Sequence, residues 1–152
     1  MLNHGFGSAK AAAPRKFEIW DSGAATFSWS TRATIADAVA RILLRPEQTA
    51  NNYIYVSTFE TNQLELLEAL KRVTGSHDWD VSYVNSEDKI KQGKELLAEG
   101  KVMMGLMNIV CAFAFSGKFE ADFAKTGKLA NDILGLPQED VAEVIRNWKS
   151  GI

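Results

Sequence analysis

The chain has 152 residues, 46% of them apolar and 24% charged, which argues against a disordered or coiled-coil protein and predicts a single globular domain. Lysine and arginine number 17 against 19 acidic residues, so the chain lacks the basic surplus of a nucleic-acid-binding surface. Its single cysteine, Cys111, excludes an internal disulfide and predicts a reducing compartment, for which we take the cytoplasm.

Residues 1–16 (MLNHGFGSAKAAAPRK) are small, rich in alanine and free of acids, and they are predicted to form a flexible lead-in. They lack the apolar stretch of a secretory signal, and their glycines and proline interrupt the amphipathic helix of a mitochondrial presequence. A phosphate-binding glycine loop must follow a strand. Because nothing strand-like precedes Gly5-Phe6-Gly7, nucleotide binding is not expected there.

Two short strands and a helix are predicted next. Residues 17–20 and 25–31 each alternate apolar and polar side chains around a turn of the Asp-Ser-Gly type. Thr34 is a plausible helix cap, and apolar residues then recur at helical spacing. Pro46 ends this helix.

Residues 53–59 (YIYVSTF) make a β-branched and aromatic run, which is typical of a strand covered on both faces. Its two tyrosines are therefore interpreted as core residues rather than proton donors. Asn62 and Glu65 stand at the spacing of a capping box, and Gly75 ends the helix that they begin. The stretch predicts one strand and one helix of a layered α/β unit.

The remaining chain predicts one more strand and several helices. Residues 79–83 alternate and predict a strand with one wet face. A helix with acidic residues in its first turn is predicted from Ser86 to a stop at Gly100. Residues 119–135 and 137–149 predict two further helices.

Residues 102–115 (VMMGLMNIVCAFAF) form an apolar helix that is shorter than the roughly 20 residues needed to span a bilayer. No membrane span is predicted, and the segment is interpreted as a buried or pocket-lining helix. Met104, Met107, Asn108 and Cys111 share one helical face and are predicted to line a substrate pocket. The lone amide needs a partner, either a protein group or a ligand atom, and core filling remains the alternative for this face.

No catalytic constellation emerges from the residues. His4 lies in the glycine-rich lead and His77 in a turn, and neither is near Cys111 in sequence. A nucleophile with its base, or a zinc site, needs such groups to converge. The catalytic residues therefore stay unknown, and no metal is expected.

Four motifs occur in an order that resembles the C-terminal part of the NmrA-like family, in particular its fungal isoflavone-reductase-like branch. They are FEIWDSG, FSWSTRATIADAVARIL, NNYIYVSTFETNQLELLEALKRVTG and ADFAKTGKLANDILGLPQEDV. The resemblance implies an atypical short-chain dehydrogenase, in which an N-terminal Rossmann half binds NADP(H) and a C-terminal part completes the sheet and covers the substrate. The glycine-rich cofactor turn and the catalytic lysine of some relatives have no counterpart in this sequence.

The resemblance implies an α/β fold with a partial Rossmann-type sheet, made of the C-terminal strands, and a mostly helical substrate-side subdomain. Residues 17–152 would be the C-terminal part of a truncated member of a family of NADP-dependent reductases of small, often aromatic, molecules. Two alternatives stay open: a non-catalytic regulatory or binding protein, and a hydrophobic-metabolite pocket that acts without nicotinamide. The chain alone is expected to bind no NADPH. Because the strand at Ile54 and Val56 would lack neighbours, self-association is expected.

Overall fold

Two small sheets and several helices make up residues 15–150, the part of the chain that the structure, a computed structural model, describes. The predicted lead-in lies outside this part up to residue 14, and the first strand begins already at Arg15. The chain is mixed α/β. In chain order its elements are β1 (Arg15–Trp20), β2 (Phe27–Trp29), α1 (Arg32–Leu43), α2 (Pro46–Thr49), β3 (Phe59–Thr61), α3 (Gln63–Thr74), β4 (Trp79–Val84), α4 (Ser86–Ala98), α5 (Val102–Phe115), α6 (Asn131–Leu134) and α7 (Val141–Ser150).

One layer of the molecule, which we call the central layer, consists of β1, β4, α3 and α7. β1 and β4 are parallel, with Arg15 opposite Trp79 and Trp20 opposite Val84. The inward side chains of β1 pack on the apolar faces of α3 and α7 and form a buried cluster. The strands predicted at residues 17–20 and 79–83 are thereby confirmed.

A second, antiparallel pair joins β2 to β3, with Phe27 opposite Thr61 and Trp29 opposite Phe59. Phe115, the last residue of α5, packs against this pair. Its ring lies 5.0 Å from Phe27 and 6.5 Å from Trp29 between centroids. The aromatic contacts therefore anchor the end of α5 to the second sheet.

Local capping chemistry sets the helix starts. Asn62 caps α3 and accepts the N–H of Glu65 at 2.9 Å, which is the Asn62 half of the predicted capping box. The carboxylate of Glu65 accepts the hydroxyl of Thr61. The cap of α1 is Thr31 rather than Thr34, because the Thr31 hydroxyl accepts the Thr34 N–H. α7 begins at residue 141 and not at 137, since Asp140 caps it.

The predicted buried strand at residues 53–59 is wrong over residues 53–58, because β3 begins only at Phe59. Tyr53 is 92% exposed, and the segment before β3 makes one bridge, from Tyr55 to Leu129, and two further backbone bonds at Thr58, to Trp29 and Glu139. Within the described residues, the backbone N–H and C=O of Ile54 have no hydrogen-bond partner. A strand needs partners along its edges, so this run stays extended without forming a ladder.

The predicted helix at residues 119–135 is also wrong over most of its length. Only α6 is helical; residues 123–127 form turns, and Leu129 makes the bridge to Tyr55. Ser28 of β2 donates its N–H to the carbonyl of Ala121 and accepts the N–H of Phe123 with its hydroxyl. These bonds use backbone groups that a helix would need for itself.

Candidate functional site

The predicted pocket residues lie on a helical hairpin formed by α4 and α5. The two helices turn at Gly100, whose φ of +77° is left-handed. They touch through glycines, because a Cβ added to Gly105 would lie 2.6 Å from the carbonyl oxygen of Gly93. The absence of side chains at these two positions lets the helix backbones meet directly.

The predicted pocket face, made of Met104, Met107, Asn108 and Cys111, borders the contact with α4. Met104 is exposed and the other three side chains are half-buried. The amide of Asn108 donates to Oε1 of Gln92 on α4 at 3.0 Å. The lone amide therefore has a protein partner, and the amide oxygen of Asn108 and amide nitrogen of Gln92 have none among the described residues.

Two open grooves lie on the surface of the described residues, and no residue of the pocket face lines either of them. An open groove of about 550 Å³ runs between the end of β4 and α4, and a second of about 410 Å³ lies between α3 and α7. Gln92, the partner of Asn108, lines the first groove. The pocket face thus adjoins that groove through one amide pair. The groove is lined by Tyr83, Val84, Asn85, Asp88, Lys89, Lys91, Gln92 and Glu95.

The thiol of Cys111 is kept in its protonated form. Burial raises its pKa, the carboxylate of Glu18 raises it further, and the ammonium of Lys89 opposes this. Thiolate is the nucleophilic form of cysteine, so this side chain suits an apolar wall rather than covalent chemistry.

The carboxyl ends of the parallel strands are joined by Asp21, which follows β1. Its carboxylate accepts the N–H of Ser86 at 2.9 Å, and its own N–H donates to Val84 at 2.8 Å. The nearby hydroxyl of Ser86, and then its backbone N–H, lower the pKa of Asp21. Asp21 adopts a left-handed φ of +51° to make these contacts. The residue therefore links the end of β1 to the start of α4.

The starts of α3 and α4 do not suit a dinucleotide. Each helix follows a strand, which is the position where a pyrophosphate normally binds. The side chains of Asn62 and Asn85 already occupy the first free N–H groups. The first turn of α3 contains Glu65 and that of α4 contains Glu87. These carboxylates would repel a phosphate group.

Sequence reasoning missed two amide side chains that hydrogen-bond to backbone groups far away in the sequence. Gln63 accepts the N–H of Trp20 at 2.8 Å and donates to the carbonyl of Glu18 at 2.9 Å. Asn131 likewise accepts the N–H of Ser57 at 3.0 Å and donates to the carbonyl of Ser57 at 2.7 Å. Their partners are more than 40 residues away, so no local pattern indicates them.

Neither a metal-binding cluster nor a membrane-spanning helix occurs among the described residues. Across residues 15–150, no group of three or more His, Cys, Asp or Glu side chains is placed to hold a metal ion. The helices of this same part are all too short or too polar to cross a membrane.

The chain is related in sequence to fungal proteins that are named oxidoreductases. It is 35% identical to the oxidoreductase aprR of Aspergillus flavus over 136 residues, which is 88% of this chain and 44% of the relative. It is 32% identical to the oxidoreductase poxI of Penicillium oxalicum over 128 residues, 84% of this chain and 40% of that one. The chain thus spans less than half the length of the curated relatives it matches. No protein family and no solved structure matches it.

Proposed function

We propose that this chain is the substrate-side portion of an NmrA-like, isoflavone-reductase-like oxidoreductase that acts on a small hydrophobic or aromatic molecule. The observation that carries the proposal is the similarity to aprR and poxI over 84–88% of the chain. The four motifs quoted above point to the same class. In this view β1 and β4 belong to the C-terminal part of a Rossmann-type protein.

The pocket face supplies the chemistry for binding such a molecule. Thioethers of Met104 and Met107 adapt to irregular apolar shapes, and Cys111 stays an uncharged neighbour. The pair of Asn108 and Gln92 keeps one acceptor and one donor for a polar ligand atom. An apolar wall with a few polar groups is the common composition of a small-molecule site.

NADP(H) would supply the hydride in the complete enzymes, but the described helix starts do not fit its pyrophosphate. Glu65 and Glu87 stand where phosphate oxygens would approach. We therefore expect a flat calorimetric titration of this chain with NADPH. Saturable binding in the low micromolar range would show that nucleotide docks elsewhere on the chain.

The pocket face is tested by replacing Asn108 with leucine. Purified wild-type chain and Asn108→Leu are compared by native mass spectrometry and thermal shift with a panel of small aromatic molecules. The expected result is binding to the wild type, weaker binding to the variant, and similar melting temperatures. Asn52→Leu is the control, because this exposed amide lies outside α4 and α5 and donates only to the carbonyls of Gln48 and Ala50.

Two outcomes would contradict this site. A large loss of stability in Asn108→Leu, with no ligand bound by the wild type, would place the amide in a structural role. Equal loss of binding in Asn52→Leu would show that the effect is not specific to α5.

A second function is favoured by the acidic first turns, which disfavour nucleotide on this chain. In that reading the chain binds a hydrophobic metabolite, or regulates a partner, without nicotinamide. NADPH oxidation by the chain when a bound ligand and the cofactor are added together would rule this second function out.

A further inference from the structure

One edge of β1 is closed by a side chain instead of a strand. The other edge pairs with β4, and the N–H of Asp21 extends that pairing by donating to the carbonyl of Val84 at 2.8 Å. The backbone groups of successive strand residues point to alternate edges, so those of Glu18 and Trp20 point away from β4. We call the row formed by Lys16, Glu18 and Trp20 the outer edge of β1.

The amide of Gln63 bonds to the outer edge as one residue of a parallel strand would. Its Oε1 accepts the N–H of Trp20 at 2.8 Å, and its Nε2 donates to the carbonyl of Glu18 at 2.9 Å. In a parallel ladder, a residue opposite Ile19 makes these same two bonds with its own C=O and N–H. The side-chain amide therefore takes the position that the backbone of a third strand would have.

The surroundings of Gln63 hold its amide against the outer edge. Gln63 is the first residue of α3 and is 4% exposed, and Trp20 is 5% exposed. The start of α3 is fixed by the Asn62 cap and by the N–H of Leu64, which donates to the carbonyl of Gly23 at 3.3 Å. Because both partners are buried, a strand can reach the Trp20 N–H only after the side chain of Gln63 has left it.

A second amide bonds to backbone without a strand partner in a related way. Asn131 bonds to both the N–H and the carbonyl of Ser57, which is fully buried in the extended run before β3. Two bonds with a single residue are the antiparallel form of the contact that Gln63 makes with β1. The chain thus closes two stretches of open backbone with amide side chains.

We propose that Gln63 is an edge plug, whose amide closes the outer edge of β1 against the addition of a strand from another polypeptide. Open strand edges bind other strands through their unpaired N–H and C=O groups, and this is a route to aggregation. The plug occupies two of these groups and keeps the parallel sheet at two strands. The proposal requires neither a nucleotide nor a substrate and does not rest on the proposed oxidoreductase role.

The test compares Gln63→Ala with the wild-type chain by light scattering over a dilution series. Because the outer edge is then open, the mass of the variant should rise with concentration to at least double that of the wild type. Gln63→Met keeps the length of the side chain without its hydrogen bonds, and it replaces the alanine variant if that variant does not fold.

Two controls separate strand addition from a loss of stability. Leu70→Ala weakens the central layer but leaves Gln63 in place. In urea that unfolds the same fraction of each variant, it should keep the wild-type mass. Glu18→Pro, added to Gln63→Ala, removes an N–H from the outer edge and should restore the wild-type mass, because proline is tolerated on a strand edge but donates no bond to a ladder. Lys16→Pro replaces Glu18→Pro if the double variant does not fold.

Three results would overturn the proposal. These are a folded Gln63→Ala variant that keeps the wild-type mass, equal association of Leu70→Ala, and association that persists in the folded proline variant. Amide hydrogen exchange at Trp20 gives a direct readout of the contact. This N–H should be protected in the wild type and in the associated Gln63→Ala variant, and should exchange rapidly in the double variant.

Discussion

The central layer and the α4–α5 hairpin use apolar residues in opposite ways. In the central layer, the side chains of Ile19 and Leu70 are almost fully buried, and Gln63 satisfies the backbone beside them. In the hairpin, the longest uncharged segment of the described chain keeps a whole row of apolar side chains exposed. The comparison shows that burial depends on a partner surface more than on how apolar a segment is.

The largest effect should come from removing a leucine from the central layer. Leu70→Ala leaves a cavity at a side chain that is 2% exposed, and should lower the free energy of unfolding by about 2–5 kcal/mol. Leu106→Ala, on the hairpin, should cost well under about 1 kcal/mol in dilute protein, because Leu106 is 45% exposed there. Urea unfolding measures both. Equal losses would contradict the contrast between the two regions.

The buried amide of the central layer should matter next. Gln63→Leu removes the partners of the Trp20 N–H and the Glu18 carbonyl, and should cost about 1–3 kcal/mol for the unsatisfied groups. Gln48→Leu, at an exposed position of α2, should leave the unfolding midpoint close to that of the wild type. A stable Gln63→Leu variant would mean that water replaces the lost bonds.

The glycine contact should decide the stability of the hairpin. Gly105→Ala should destabilise the protein by about 1–3 kcal/mol, because its Cβ would lie 2.6 Å from the Gly93 carbonyl oxygen. An alanine in a helix without this contact would instead gain about 1 kcal/mol. The sign of the change in thermal unfolding therefore tests the close approach directly. A stabilised variant would show that the two helices sit farther apart.

The smallest effect should be on the stability of the folded chain at acidic pH, through Asp21. The lowered pKa of Asp21 means that its ionised form stabilises the folded chain above its unfolded pKa of about 3.9. That contribution is lost as the pH falls from there through the lower folded value. Asp21→Asn should therefore flatten the dependence of unfolding on pH below about pH 4. Ser86→Ala keeps the backbone N–H and should reduce this pH dependence less. If neither variant changes the pH dependence of unfolding, the contacts with Ser86 do not stabilise the ionised form of Asp21.

The sequence alone determined the features that depend on neighbours in the chain. The alternation at residues 17–20 predicts β1, and the Asn62 cap with the stop at Gly75 predicts α3. The apolar run at residues 102–115 matches α5 residue for residue. These elements form from side-chain periodicity and from hydrogen bonds that span a few residues, so a single sequence contains the information.

Only the tertiary structure decided the features that need a distant partner. Residues 53–56 have the composition of a central strand, yet they bridge to Leu129 at one residue only. Ser28 bonds to the backbone of Ala121 and Phe123, which a helix there would need, and Gln92 supplies the partner that Asn108 required. Each outcome depends on a backbone or side-chain group that is brought close by folding, and local propensity cannot indicate which group arrives.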